Sequence, residues 1–145
     1  MNAARAGESA QYHRPVAIGD MRFGVSDAGV AIVELDGEHD IYTAPKLRDR
    51  LGELVETSPG VVVDLSGATF VDSSILGALL NALQRAVEAK KGFAVCLADG
   101  SAPAVRRVFD MTGLSETLPV LPDMERAVAT ASSGPIKANA ADSGD

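Results

Sequence analysis

The sequence predicts a single α/β domain built on a mixed β-sheet of about four to five strands. Three observations predict it. The β-branched runs at 30–35 and 61–65 have the length and composition of buried strands. Between and after them lie longer segments whose leucines and valines recur at helical spacing. Clusters of Gly, Pro, Asp and Ser separate the two kinds of segment, and strands that alternate with helices in this way pair in parallel. A chain of 145 residues accommodates one such domain with tails.

Residues 1–18 mix small and polar types without periodicity, and 132–145 hold no aromatic, so both are expected as flexible tails around a domain at 19–131. Met21–Val25 and Val30–Leu35 are expected as a hairpin turning through Ser26, Asp27, Ala28 and Gly29. Thr43 is placed to cap the first helix, with Pro45 in the first turn, where a missing amide costs little. Leu47, Leu51, Leu54 and Val55 make the apolar face of that helix, and Lys46, Arg48, Asp49, Arg50 and Glu53 the wet one. Ser58, Pro59 and Gly60 end it ahead of a central strand at 61–65, which Ser66 and Gly67 break. A second helix follows Asp72, with an apolar stripe of Leu76, Leu79, Leu80, Leu83 and Val87, a solvated face of Gln84, Arg85, Glu88 and Lys90, and a stop at Lys91-Gly92. Phe93–Leu97 is the next strand. Asp99, Gly100 and Ser101 turn the chain into a third helix that faces inward through Val105, Val108 and Phe109 and stops at Gly113. A short strand within 117–121 and a last helix from Asp123 to about Ala131 complete the pattern.

With 13 basic and 20 acidic residues the formal net charge is −7, which argues against direct contact with nucleic acid or an anionic membrane and favours a protein partner. The N-terminus lacks the apolar core of a signal peptide and no stretch approaches the roughly 20 apolar residues of a membrane span, so a cytoplasmic protein without membrane insertion is expected. Cys96, the only cysteine, lies in the apolar run 93–97 and is expected as a buried thiol. Catalysis has little to draw on. His13 falls in a tail and His39 in the loop before the first helix, and no phosphate-binding glycine loop, dinucleotide fingerprint, metal-binding helix or paired cysteine motif is present. Neither an enzyme nor a cofactor or metal site is expected. Asp64 ends a central strand, where phosphorelay receiver domains accept phosphate, but the acidic pair after the first strand and the lysine after the last that such a site needs are missing.

The densest chemistry lies at 70–77. Asp72 can cap the amides of the second helix through a carboxylate oxygen, and Ser73 and Ser74 place two hydroxyls at its start. Helix capping alone accounts for that spacing. At about 100° per residue, Ser74 falls nearly opposite the leucine stripe and Ser73 about 60° from it, so periodicity makes Ser74 the more exposed hydroxyl.

Two segments together resemble the STAS-domain anti-sigma-factor antagonists, or anti-anti-sigma factors. Asp36-Gly37-Glu38-His39-Asp40-Ile41-Tyr42-Thr43-Ala44-Pro45-Lys46-Leu47 is similar to that family's G-E-x-D-x-x-T-A-P-x-L, and Phe70-Val71-Asp72-Ser73-Ser74-Ile75-Leu76-Gly77 to its D-S-[ST]-G-L-G, in the same order. The resemblance implies a STAS-like domain with helices packed mainly on one face of the sheet. It implies a regulator that binds an anti-sigma factor when unphosphorylated, releasing a sigma factor for transcription. Ser73 is then the phosphoacceptor of an anti-sigma factor with serine kinase activity, Ser74 the fallback, and a serine phosphatase restores the hydroxyl. Partner contact is expected from Glu38, Asp40 and Thr43 together with Asp72, Ser73, Ser74, Ile75, Leu76 and Gly77. Ile75 stands where the family usually carries glycine, and a β-branched side chain there is expected to obstruct a partner's backbone. The alternative is a phosphorylation-independent STAS module for interaction or ligand sensing.

Overall fold

Strands whose two faces are both covered read as continuous apolar runs, and the runs at 30–35, 61–65 and 93–97 become the centre of the sheet. The structure, a computed structural model, describes residues 16–18 and 21–134. The main sheet is formed by β1 (Val16–Ile18), β2 (Met21–Val25), β3 (Ala31–Leu35), β5 (Gly60–Asp64), β7 (Gly92–Cys96) and β8 (Val120–Leu121), side by side in that order. The first three pair antiparallel, and β3, β5, β7 and β8 are parallel. A separate parallel ribbon joins β4 (Gly37–His39) to β6 (Ala68–Val71).

One strand more than expected is present in the main sheet. Val16–Ile18 lie inside the segment expected as a tail, yet pair with Met21–Phe23. Two β-branched residues in a run of three suit a strand but are too short a signal to show periodicity. The remainder of the expected N-terminal tail, and the C-terminal one beyond Gly134, lie outside the described residues. The turn at Ser26–Gly29 forms as expected, with Gly29 at φ +84° and the Ser26 hydroxyl accepting from the amides of Ala28 and Val30.

The helices are α1 (Ala44–Thr57), α2 (Ser73–Ala89), α3 (Pro103–Thr112), the single turn α4 (Leu114–Thr117) and α5 (Met124–Ser132). Helices α1, α2 and α3 share one core with Ala31, Val33, Leu35, Val61, Val63, Phe93 and Val95. The other face carries α5, whose Ala127 and Ala131 pack on Val30, Ile32, Val62, Ala94 and Cys96. Helices therefore lie mainly on one face, as the resemblance implied. In α2 the buried side is Ile75, Leu76, Ala78, Leu79, Ala82, Leu83 and Ala86, while Leu80 is only half-buried and Val87 is exposed. The expected leucine stripe is thus rotated. Three alanines at helical spacing bring the helix close to its neighbours, a contribution that counting large apolar residues alone overlooks.

Lys91, immediately before β7, reaches back to the end of α1. Its ammonium donates to the carbonyl oxygens of Val55 (3.0 Å), Glu56 (3.3 Å) and Ser58 (2.8 Å), satisfying acceptors that a helix C-terminus leaves open. At the same end of the sheet the last turn of α5 crosses so close to β5 and β7 that a Cβ on Gly60 or Gly92 would overlap the carbonyl of Ala131. Backbone cannot step aside as a side-chain tip can. Gly92→Ala is accordingly expected to lower unfolding stability by about 2–3 kcal/mol in urea titration.

Candidate functional site

The neighbouring parallel strands β3 and β5 leave the sheet at the same end, and the chain that follows each of them builds the site. There the two segments are tied together. Gly37, at φ +79°, donates its amide to the carbonyl of Gly67 at 3.0 Å, and a Cβ on Gly67 would overlap the Asp36 carboxylate. Arg22 on β2 holds that carboxylate at 2.7 Å and Glu34 at 3.0 Å. From there β4 and β6 pair with Gly37 opposite Ala68, Glu38 opposite Phe70 and His39 opposite Val71. Thr69 is passed over as a bulge, so Ala68 and Val71 are both buried while Thr69 and Phe70 are both exposed. The ribbon pairs the stretch that leads into Asp40–Leu47 with the stretch that leads into Asp72–Gly77.

Beyond β4 a tight turn leads into α1. His39 is fully buried, with Nε2 2.9 Å from the Asp36 carbonyl oxygen and Nδ1 3.2 Å from the Thr43 hydroxyl. A carbonyl only accepts, so Nε2 carries a proton. The Thr43 hydroxyl also accepts from the Asp40 amide at 3.2 Å, and the Asp40 carboxylate accepts from the Tyr42 amide at 2.9 Å. Thr43 was expected to cap α1; instead it occupies the cap position with no side-chain bond to the helix, because its hydroxyl is engaged with Asp40 and His39. Asp40 and Thr43 are half-buried, Glu38 is exposed, and Ile41 and Tyr42 project outward.

Beyond β6, Asp72 caps α2 as expected. One carboxylate oxygen accepts from the amides of Ser74 (3.0 Å) and Ile75 (3.3 Å) and from the Ser74 hydroxyl (2.5 Å). Burial pushes this carboxyl up, but the three hydrogen bonds outweigh it and hold the group below its ordinary value. Ser74 is half-buried with its hydroxyl committed to Asp72, whereas Ser73 is exposed. This reverses the order that helical periodicity predicts. In a first turn the capping residue, rather than the wheel, decides where a side chain lies, and Ser74 folds back over Asp72.

Ile75 corrects another expectation. Its side chain is fully buried in the core beneath α2, so it does not stand between Ser73 and an approaching partner. Leu76 is also buried. Open space on this helix is found instead at Gly77, where an added Cβ would meet nothing within 4 Å.

Asp64 and Cys96 sit apart from these groups, near the ends of β5 and β7. Burial, assisted by the charge of Glu34, pushes the Asp64 carboxyl up despite hydrogen bonds from Ser66. Burial and then the Asp64 charge push the Cys96 thiol up to about 11, so it stays protonated and, as expected, buried. Among the described residues no group of three His, Cys, Asp or Glu side chains is placed to hold a metal, and no helix is long and apolar enough to cross a membrane.

The mixed sheet, the β4–β6 ribbon and the capped serine pair define a STAS domain, and the chain belongs to that family, whose pattern matches residues 25–131. Over 109 residues it is 32% identical to an anti-sigma-F factor antagonist of Mycobacterium tuberculosis, covering 74% of this chain and 86% of that one. It is 33% identical over 94 residues to an anti-sigma F factor antagonist of Paenibacillus polymyxa, covering 63% of this chain and 78% of the relative. The crystal structure of an anti-sigma factor antagonist from Mycobacterium paratuberculosis superposes with a TM-score of 0.67 at 31% identity, covering 80% of this chain and 98% of that one.

Phe70 on β6 and Ile41 and Tyr42 in the turn after β4, none of them among the expected contact residues, are large apolar side chains that are also exposed. A pair of large apolar residues in a polar turn was the available signal.

Two carboxyls make opposite predictions. Asp72→Ala is expected to cost about 1 kcal/mol at neutral pH. Because the folded carboxyl titrates below its ordinary value of 3.8, the contribution is complete above that pH and is lost as the pH falls through the depressed value. Melting curves of wild type and variant should therefore converge in acid. For Asp64 the folded value lies above 3.8, so its ionisation penalises the fold at neutral pH and not below 3.8. Asp64→Asn keeps an oxygen for the Ser66 amide and should raise the Tm at pH 7 by about 2 °C, with no gain near pH 3.

Proposed function

We propose that this chain is an anti-sigma-factor antagonist whose unphosphorylated form binds an anti-sigma factor and so frees a sigma factor for transcription. The observation that carries the reading is exposed Ser73 at the start of α2, directly after the strand that pairs with Glu38 and His39. Relatives at 32% and 33% identity that are named antagonists of anti-sigma factors support the same assignment. In this reading the partner is also a serine kinase that modifies Ser73 in the cytoplasm, a phosphatase reverses the modification, and the chain itself catalyses nothing.

The physical logic is local. Asp72 already occupies the amides of Ser74 and Ile75, so a phosphate on Ser73 finds no empty cradle there and adds about 1.5 to 2 negative charges next to an ionised carboxylate. In solvent that repulsion is screened. Inside an interface it is not, and the dianion must also be desolvated. A differential interaction of about 3 kcal/mol exceeds a hundredfold in affinity, enough to exchange partners without moving the fold. Ser74 is a poor substitute acceptor because its hydroxyl is already given to Asp72.

Incubation with ATP, Mg²⁺ and each anti-sigma-factor kinase of the source organism, followed by phosphosite mapping, tests the assignment. Modification is expected at Ser73, abolished in Ser73→Ala and retained in Ser74→Ala. Ser73→Asp should weaken anti-sigma-factor binding by about a hundredfold while moving the Tm by less than about 2 °C. Modification confined to Ser74, or a Ser73→Asp variant that binds as wild type does, would refute the switch.

A further inference from the structure

We infer that Ile41 and Tyr42 form an apolar anchor on which the protein partner docks, and that the partner offers them an apolar recess rimmed by Lys or Arg. The inference rests on the antagonist reading and adds to it the chemistry of the contact surface. Large exposed apolar side chains among the described residues are Val25, Ile41, Tyr42, Phe70, Val87 and Met111. Half of these, Ile41, Tyr42 and Phe70, belong to the β4–β6 ribbon and the turn that follows it. Isolated apolar residues on a surface need no explanation, but adjacent ones at 60% and 83% exposure in a turn do.

The fold does not ask for them. The turn closes through Asp40 and Thr43, whose hydroxyl and carboxylate satisfy its backbone, and buried His39 supports it from beneath. Polar residues at 41 and 42 would satisfy the turn equally well. What the bracing achieves is presentation: two large side chains are held outward on a backbone that loses little further freedom on binding. Tyrosine in particular combines a large apolar face with a hydroxyl that can stay wet, which is why it recurs at the centre of interfaces.

Charge selects the occupant. Exposed Glu38 lies opposite Phe70 on the ribbon, and Asp40 and Asp72 are half-buried at its two exits, three carboxylates against exposed Lys46 in the first turn of α1 and exposed Arg107 on α3, which packs on β6. A second copy of a chain with net charge −7 would set one acidic rim against another, whereas a basic partner surface is drawn to it.

The test is calorimetric titration of each purified anti-sigma factor of the source organism with wild type, the double variant Ile41→Ser/Tyr42→Ser, and Val87→Ser as an exposed apolar control on α2. The expected result is an affinity loss of at least about tenfold for the double variant only, with its Tm unchanged. Amides at 40–43 should gain hydrogen-exchange protection in the wild-type complex, a readout that does not depend on any variant. If wild type binds a partner and the double variant binds it equally well, the anchor is wrong and the antagonist reading stands. Wild type that binds none of them overturns both. Sedimentation showing a wild-type dimer that the double variant abolishes, with partner affinity unchanged, would assign the surface to a second copy instead.

Discussion

The contact between Asp36-Gly37 and Gly67 is the constraint on which the rest of the site depends. Two parallel strands that leave a sheet together would ordinarily diverge into their crossover helices. Here a backbone hydrogen bond between the two glycines and the Arg22–Asp36 ion pair tie the exits together. Each side of the contact relies on a glycine: Gly37 has a positive φ, and Gly67 leaves room for the Asp36 carboxylate. With the exits joined, β4 and β6 pair in parallel. Their ends then deliver the Asp40–Thr43 turn and the Asp72 cap to one surface.

Within that surface structural and exposed duties fall on different residues. Asp72 and Ser74 complete the start of α2 between them, and His39 with Thr43 completes the turn before α1. Ser73, Glu38, Ile41 and Tyr42 are left with little to do for the fold. Such a division lets a surface change charge or contact a partner without altering the stability beneath it, because the hydrogen bonds that hold the backbone never involve the exposed groups.

Legibility in the sequence followed the strength of each physical signal. The strands at 21–25, 31–35, 60–64 and 92–96 carry dense apolar runs, and Gly29, Gly113, Asp72 and Asp123 mark turns and caps whose chemistry is specific, so these were readable within a residue or two. The ribbon was not. Gly37–His39 contains glycine, an acid and a histidine, and in Ala68–Val71 the bulge breaks the alternation that would identify a half-buried strand. Its stability comes from pairing across about thirty residues of sequence, which no local window contains. The relative exposure of Ser73 and Ser74 escaped for a related reason: an ideal wheel has no term for a carboxylate that draws one hydroxyl inward.

Ile75 shows how a departure from a motif can be misread when only the alignment position is considered. A branched side chain in place of glycine suggests an obstructed surface, yet the position faces the core, where Ile75 packs with the helices and strands beneath α2. The substitution therefore trades backbone freedom for buried apolar area at the first turn, a change that stabilises the helix start. Freedom for close approach is kept two residues later. Gly77 lies one turn beyond Ser73 on the same side of α2, half-exposed and with empty space where a side chain would be. Nothing in the packing of this domain requires glycine there, and a helix interior disfavours it by roughly 0.5–1 kcal/mol relative to alanine. The α2 backbone is thereby left open one helical turn beyond the exposed serine, at a position where the packing of the domain sets no requirement for glycine.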